Sequence, residues 1–384
     1  MAATQKGVWD LQQVRDKQLQ SEWDYTAPAL MMSGQNDYGQ LGQNSLTHRS
    51  SPIQIPGSKW SVLNSVQGGG TDYAMMAITT DGELFSWGGN NGTYGSLGLN
   101  DNAQRSSPTQ VGTDATWSDV SSGGGSSQAI KTNGTLWAWG QNIEGQLGLN
   151  TVGPTNQYSS PTQVGTSTEW GTILAGRFSI ATKTNRTLWT WGYNVNGELG
   201  LNDKTRYSSP VQVGTGTDWD TIGSGTYSLM GTKTDGTLWM WGYNARGNLG
   251  HNNRTEYSSP KQVPGTTWKE ASGGYIGSGA VKTDGTLWSM GYNDKGQLGH
   301  NDRTDRSSPT QIPGTTWDTV SFTYKGASAT KTDGTLWSWG YNLYGQAAQN
   351  SRAAISSPTQ VGTSTGWSST IGGQRDSLAV IGDF

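Results

Sequence analysis

Side chains that could bind a metal ion cluster in three similar segments of the sequence. The segments read LGLNDKT at 199–205, LGHNNRT at 249–255 and LGHNDRT at 298–304. Asn and Asp oxygens at this spacing could bind a hard cation, but a calcium loop also needs several carboxylates and a bidentate Glu at its end. His251 and His300 stand where equivalent segments have Leu or Gln, which argues against zinc ligation. We therefore predict turns, and no metal site, in these segments.

Sequence signatures of catalysis are absent. The chain has no P-loop, no nucleophile elbow and no HExxH zinc motif. Its three His residues offer few general bases, and its carboxylates form no distinctive pair. It has no Cys, which excludes disulfides and thiolate metal sites. These features predict a protein that is not an enzyme and uses no cofactor.

The composition favours short strands joined by tight turns. Among 384 residues there are 57 Gly and 19 Trp, and only 14% of the residues are charged. The formal net charge is −3 and no basic block is present, so no nucleic-acid partner is expected. The sequence contains no run of about 18 apolar residues, so no membrane span is predicted. The first residues have no apolar core of a signal peptide, so none is expected.

One phrase recurs along the chain, as in KTDGTLWSWGYNLYGQ at 331–346. Three marks each occur seven times in phase: the Gly after the LWxW element, the Pro of SSP, and a single Trp. The Gly marks are spaced by 49 to 54 residues, from Gly34 to Gly340. Repeats of this length, each with about four predicted strands, are typical of propeller blades. We therefore treat residues 29–384 as one repeat domain.

Local signals place hairpins and ring closure within this repeat. Asp-Gly pairs such as Asp333-Gly334 predict tight turns between two strands of a unit. Arg186 stands where other units have Gly, which predicts local strain because the position favours positive φ. The C-terminal SLAVIGDF places Asp383 at a hairpin Asp position, and PALMMSGQND places Leu30 opposite Leu336 of the phrase. We expect Ser377–Ile381 to pair with Ala29–Gly34 and close the ring.

The motif LWxWGxNxxGQLG, repeated about every 50 residues, resembles the RCC1-like (regulator of chromosome condensation) repeat. The resemblance covers residues 29–384 and implies an all-β, seven-bladed propeller. Founding members of the family are guanine-nucleotide exchange factors, and propellers of the same architecture also act as protein inhibitors. The fold alone therefore leaves the function open.

Positions that vary between repeats are the candidate binding residues. The Trp pairs are interpreted as packing between blades and the Asn of WGxN as tying turns. One variable set is the pair between Asn and Gly of YNxxG, for example Leu343 and Tyr344. A second set precedes the second strand of each unit, and drift of surface loops is the alternative explanation for it. Its members are Tyr73, Arg177, Phe178, Tyr227, Tyr275, Tyr324, Lys325 and Arg375.

Residues 1–28 match no repeat and are interpreted as an anchoring arm. Their apolar residues have helical spacing in part, which predicts a short amphipathic helix that needs a partner. These residues are Trp9, Leu11, Val14, Leu19 and Trp23. The opening KGVWDLQ resembles structural proteins of marine tailed bacteriophages, which implies attachment to a virion.

Together these features predict a virion structural or appendage protein of a phage tail, fibre or baseplate. Residues 1–28 would dock it to other virion proteins in several copies, and the propeller would display a face for a host-surface glycan or protein. The alternatives are a lectin-like or inhibitor propeller that acts alone and, less favoured, a guanine-nucleotide exchange factor. The latter lacks support because the chain has no basic tail and no long insert.

Overall fold

The computed structural model describes residues 29–57, 59–63, 65–66, 73–90, 94–372 and 377–382. The arm at 1–28, with Trp9, Leu11, Val14, Leu19 and Trp23, lies outside the described residues. Arg375 and Asp383 also lie outside them.

Every regular element in the described residues is a β-strand, and the strands form seven sheets. Each sheet has four antiparallel strands, and sheet 3 has a short parallel strand added to its first strand. In spatial order, sheet 1 contains β28 (Trp367–Gly372), β29 (Ser377–Gly382), β1 (Ala29–Gly34) and β2 (Arg49–Gln54), and sheet 2 contains β3 (Trp60–Leu63), β5 (Ala74–Thr79), β6 (Leu84–Gly88) and β7 (Arg105–Gln110). Sheet 3 contains β4 (Ser65–Val66), β8 (Trp117–Gly123), β9 (Ser126–Lys131), β10 (Leu136–Gly140) and β11 (Tyr158–Gln163), and sheet 4 contains β12 (Trp170–Leu174), β13 (Phe178–Lys183), β14 (Leu188–Gly192) and β15 (Tyr207–Gln212). Sheet 5 contains β16 (Trp219–Ser224), β17 (Ser228–Lys233), β18 (Leu238–Gly242) and β19 (Tyr257–Gln262), sheet 6 contains β20 (Trp268–Gly273), β21 (Gly277–Lys282), β22 (Leu287–Gly291) and β23 (Arg306–Ile312), and sheet 7 contains β24 (Trp317–Phe322), β25 (Gly326–Lys331), β26 (Leu336–Gly340) and β27 (Ile355–Gln360).

The sheets follow one another around an axis: from sheet 2 through sheet 7 to sheet 1, the first strand of each sheet lies next to the first strand of the following one, and β28 of sheet 1 lies next to β4. The prediction of an all-β propeller is confirmed. Sheet 1 combines both ends of the described chain: β1 pairs with β29 in antiparallel register, from Ala29 opposite Gly382 to Gly34 opposite Ser377.

The hydrophobic core lies between neighbouring sheets rather than at one centre. Each buried cluster of the described residues takes side chains from two consecutive sheets. The second Trp of the LWxWG phrase is at most 1% exposed and packs in these clusters. Its indole N–H donates to a backbone carbonyl of the preceding sheet's long loop. The bonds are Trp87 to Gln40, Trp139 to Ser96, Trp191 to Gln146, Trp241 to Glu198 and Trp339 to Gln297, at 2.8–2.9 Å.

The glycine of the LG pair makes room for this indole. A Cβ on Gly98 would lie 2.7 Å from the indole nitrogen of Trp139, and one on Gly200 would lie 2.6 Å from that of Trp241. At the interface of sheets 7 and 1 the chain has Ala348 in place of this Gly. The residue of sheet 1 at the Trp position is Ser33, so a methyl group fits there.

A hydrogen-bond relay at the hairpins of sheets 3 to 7 explains the rest of the phrase. In sheet 7 the Asp333 carboxylate accepts from the backbone N–H and hydroxyl of Thr335, and the Thr335 oxygen accepts from the indole of Trp337. Lys331 then lies 4.1 Å from the centre of the Trp337 ring. Sheets 5 and 6 repeat this relay, and sheets 3 and 4 do so with Asn133 and Asn185 in place of the Asp. The first Trp of the phrase is therefore structural.

Removing residues 377–384 should destabilise the whole ring. The deletion takes a central strand from sheet 1 and leaves β1 and β28 without their shared partner. Losses of this kind exceed 4–5 kcal/mol, so we expect Tm to fall by about 10 °C or more. Calorimetry on the truncated chain measures this. Deleting residues 1–24 is the control and should leave Tm unchanged; an unchanged Tm after the C-terminal deletion would refute ring closure.

Replacing Arg186 with Gly should stabilise the protein. Arg186 has φ of 61°, as the sequence predicted, whereas the equivalent hairpin residues in sheets 2, 3, 5, 6 and 7 are Gly. Left-handed backbone costs a residue with a side chain roughly 1–2 kcal/mol. The exposed ion pair of Arg186 with Asp220, at 3.2 Å, offsets little of this. We expect the free energy of unfolding in urea to rise by about 1 kcal/mol in Arg186→Gly and to fall in the reverse change, Gly236→Arg. Equal stabilities would contradict the strain.

Candidate binding face

The loops of each sheet divide between two ends of the ring. In a four-stranded antiparallel sheet, the loop between the first and second strands lies at the same end as the loop between the third and fourth strands. We call this end the loop face. Tyr73, Arg177, Tyr227, Tyr275, Tyr324 and Lys325 all belong to its first loops, so the structure brings these predicted residues to one side of the molecule.

Three consecutive first loops form a tyrosine arc, defined as Tyr227, Tyr275 and Tyr324. The ring centres are 5.9 Å apart for the first pair and 4.7 Å for the second. The arc is held by backbone bonds between neighbouring sheets, since Thr226 N donates to Gly274 O and Tyr275 N donates to Tyr324 O. Partial burial raises the pKa of the Tyr275 phenol, so the ring is a neutral hydrogen-bonding group at neutral pH. The arc is therefore a preorganised aromatic surface.

Tyr73 and Arg177 extend this surface on other sheets. Tyr73 stacks on Tyr38 with ring centres 4.4 Å apart and is 7% exposed, so it presents little of its ring. The Arg177 guanidinium lies 4.5 Å from the centre of the Tyr193 ring. It also pairs with Glu144 at 3.7 Å. The basic and aromatic groups of this part of the face are thus already engaged with one another.

Phe178 is not part of the face, which corrects the prediction. Its side chain is fully buried in the cluster with Leu174 and Trp219. Phe178 is the first residue of β13 and pairs with Gly192 rather than lying in the loop. The alternation of side chains along the strand turns it inward.

A cleft of about 260 Å³ opens in the loop face between sheets 7 and 2. Tyr73, Tyr324 and Lys325, all predicted from sequence, line it. Sequence reasoning did not place four further lining residues in a common cleft, namely Gln35, Lys295, Tyr341 and Tyr344. Lys295 and Tyr344 belong to the variable YNxxG pairs, which was the available signal. No repeat signal identifies Gln35.

The cationic side of the cleft is built around one carboxylate. Asp294 Oδ2 lies 3.1 Å from Lys325 Nζ and 3.5 Å from Lys295 Nζ. Burial would lower the pKa of Lys325, but the hydrogen bond and charge of Asp294 outweigh it and the pKa is raised. The pKa of Asp294 is lowered, because its bond and attraction to Lys325 outweigh the effect of burial. Two ammonium groups thus share one carboxylate.

The opposite side of the cleft carries a buried amide. Gln35 is 7% exposed, and its Nε2 donates to Asp37 Oδ2 at 2.6 Å. Its Oε1 has no hydrogen-bond partner among the described residues. Asp37 also lies 3.5 Å from His48 Nε2, and the His48 ring packs edge-on against Tyr344 at 5.3 Å. These contacts hold the side chains of Gln35 and Tyr344 in place.

The three segments that contain candidate metal ligands, at 199–205, 249–255 and 298–304, form turns in the structure. Asn202, Asn252 and Asn301 have φ of 56–63°, in the left-handed region that Asn tolerates. In the third segment, Arg306 forms two hydrogen bonds with Asp302, at 2.8 and 3.0 Å, which lower the pKa of that carboxyl to about 2. Burial lowers the pKa of His300 to about 4, and its Nε2 lies 2.9 Å from Ser289 Oγ. No group of three metal-ligating side chains occurs in the described part of the chain.

Carboxylates also stabilise the inner edge of the ring. Asp119 on β8 accepts from the backbone N–H of Ile173 in the next sheet at 3.2 Å, and Glu270 on β20 accepts from Val320 at 2.7 Å. Burial raises the pKa of Asp119 to about 7 and raises that of Glu270. Glu198, fully buried below the loop face, likewise has a pKa raised by burial.

Comparison with known proteins identifies the repeat. The RCC1-like domain family matches residues 26–330. The chain belongs to this family. The crystal structure of human WBSCR16 superimposes with a TM-score of 0.80 at 16% identity, over 93% of this chain and 99% of that one. Prp20p of Saccharomyces cerevisiae superimposes with a TM-score of 0.78 at 17% identity, over 94% of each chain. At these identities the likeness concerns the fold alone.

Curated relatives match shorter stretches of this RCC1-like chain. The ultraviolet-B receptor UVR8 of Arabidopsis thaliana is 33% identical over 123 residues, 32% of this chain and 27% of the receptor. The X-linked retinitis pigmentosa GTPase regulator of Homo sapiens is 32% identical over 126 residues, 32% of this chain and 12% of that protein. The matches thus span about a quarter or less of these relatives. In the described residues, no helix is long and apolar enough to cross a membrane.

Asp119, Glu198 and Glu270 should lower the stability of the fold as the pH rises from 5 to 8, whereas His251 and His300, whose pKa values burial lowers, act in the opposite sense below about pH 6.5. The pKa values of the three carboxyls are raised in the folded state, so these groups bind more protons in the folded protein than in the unfolded chain and lose stability on ionisation. In the triple variant Asp119→Thr, Glu198→Gln and Glu270→Thr, we expect the free energy of unfolding to lose ~2 kcal/mol less between pH 5 and pH 8 than in the unmodified protein, allowing for partial exposure. Each replacement is a residue that other sheets carry at that position, such as Thr172 or Gln146. Urea unfolding across this pH range measures it, and parallel pH profiles would contradict the assignment.

Proposed function

We propose that this RCC1-like propeller is a non-enzymatic binding module that captures a partner on its loop face. The tyrosine arc carries the proposal, because three rings on three sheets form one surface held by backbone hydrogen bonds. Tyr and Arg are enriched at interface hot spots, and a preorganised surface loses little entropy on binding. A site for covalent chemistry is not needed for this role, and no cofactor is part of the proposal.

We further propose that the module is displayed on a phage particle. Residues 1–28 would attach it to other virion proteins, which the resemblance of KGVWDLQ to phage structural proteins supports. The partner on the loop face would then be a host-surface glycan or protein. Several copies on one particle would convert weak single sites into strong attachment.

Protein capture without a particle is the second candidate. Two relatives are named as a receptor and a GTPase regulator, which makes a protein partner, including a GTPase, a reasonable alternative for this chain. A lectin-like or inhibitor propeller acting alone would use the same face. Only the particle-bound role requires residues 1–28.

Mutation of the tyrosine arc should abolish partner binding without loss of folding. We expect Tyr275→Ala with Tyr324→Ala to weaken binding to host cells by about 30-fold or more, since hot-spot truncations cost roughly 2 kcal/mol or more. Flow cytometry with labelled protein measures binding. Lys261→Ala, on the outer strand β19, is the off-face control. Equal binding by the double variant and the control would refute the loop-face proposal.

Deletion of residues 1–24 should separate display from binding. The shortened chain should retain binding through the tyrosine arc but be absent from assembled particles, because the arm is the proposed attachment. Mass spectrometry of purified particles measures incorporation. Detection of the shortened chain in particles at the normal level would contradict the role of the arm, and absence of the full chain would contradict a virion location.

A further inference from the structure

The cleft between sheets 7 and 2 has polar walls that suit a small hydroxyl-rich ligand. Its volume of about 260 Å³ is below the 300–1,000 Å³ typical of drug-sized ligands. Its lining includes the phenol rings of Tyr324 and Tyr344 and the largely buried Tyr73. A volume of this size admits one sugar-sized ring and not a long apolar segment.

The buried amide of Gln35 indicates that the cleft is a binding site. Gln35 is more than nine-tenths buried and lines the cleft, and its Nε2 is fixed by Asp37. This bond leaves Oε1 as the acceptor, and Oε1 has no partner among the described residues. A buried acceptor without a donor is unfavourable, so a ligand hydroxyl that donates to it would satisfy the group.

The ammonium groups select the charge of the ligand. Lys295 and Lys325 both contact Asp294, which as one carboxylate neutralises only one of them. Asp37 accepts from Gln35 Nε2 at 2.6 Å and lies 3.5 Å from His48 Nε2, so its oxygens already have partners. The side chain of Lys295 is 37% exposed, so its ammonium can reach a second anionic group.

We infer that this cleft binds a sugar unit that carries a carboxylate. The sugar hydroxyls donate to Gln35 Oε1, and the carboxylate lies against Lys295 and Lys325. The sugar ring packs against Tyr344, which is itself in edge-on contact with the His48 ring. This inference rests on the proposed function and names the ligand class of the loop face. An acidic peptide side chain fits the charge but supplies no set of hydroxyls for the amide.

Saturation-transfer NMR on the full chain tests the inference with glucuronate and N-acetylneuraminate, and with glucose as the neutral sugar. We expect the acidic sugars to bind more tightly than glucose. Lys295→Gln should weaken acidic-sugar binding about tenfold and leave glucose unchanged. Tyr344→Ala should weaken the binding of all three sugars. Lys204→Gln, an exposed lysine on a different loop, is the control.

Three results would overturn the inference. They are no transfer from any sugar, equal binding by the Lys295 and Lys204 variants, and tighter binding of a Glu-containing tripeptide than of either acidic sugar. If these occur while the tyrosine-arc variants still lose cell binding, the proposed function stands and only the ligand class is wrong. If cell binding is also unaffected by those variants, the proposed function fails as well.

Discussion

The structure depends on a tryptophan indole that links a sheet to the one before it in five of the seven sheets. A fully buried N–H requires an acceptor, and the backbone carbonyl of the preceding long loop supplies it in five sheets. The link fixes distance and rotation between sheets at once, because the same ring fills the apolar space between them. It also dictates the LG pair, since a side chain on that Gly would occupy the position of the ring.

With the frame fixed in this way, the loops are free to vary. In five sheets the Asn after the third strand holds the long loop by donating to carbonyls nine and eleven residues ahead and by accepting from the backbone N–H five residues ahead, as Asn342 does. The two residues after it make none of these bonds with their side chains. The repeat thus separates positions that determine the fold from positions that determine the surface, and the tyrosine arc and the cleft are built from the second kind.

This separation explains what the sequence could predict. Local signals predicted the hairpins, the strain at Arg186 and the turn role of Asn, because each depends on neighbours within a few residues. Phe178 was assigned wrongly, because one residue of register decides whether a side chain at a strand end faces a ligand or the core. The cleft could not be predicted, since Gln35, Lys295 and Tyr344 belong to loops of three different sheets and come together only in the folded propeller.

The cleft lies beside the part of the ring where the indole link is missing. Ser33 replaces the linking Trp in sheet 1, and Met290 replaces it in sheet 6, on either side of sheet 7. Ala348 in place of Gly shows that the chain has adjusted to the first of these losses, because its Cβ occupies space that an indole would need. Sheet 7 keeps its own link through Trp339, so the ring retains its geometry there. Residues that depart from the repeat pattern are expected at functional sites, because binding rather than packing determines the residue type there. The two sheets that lack the indole link therefore supply Gln35 and Lys295 to the cleft that we propose as a binding site.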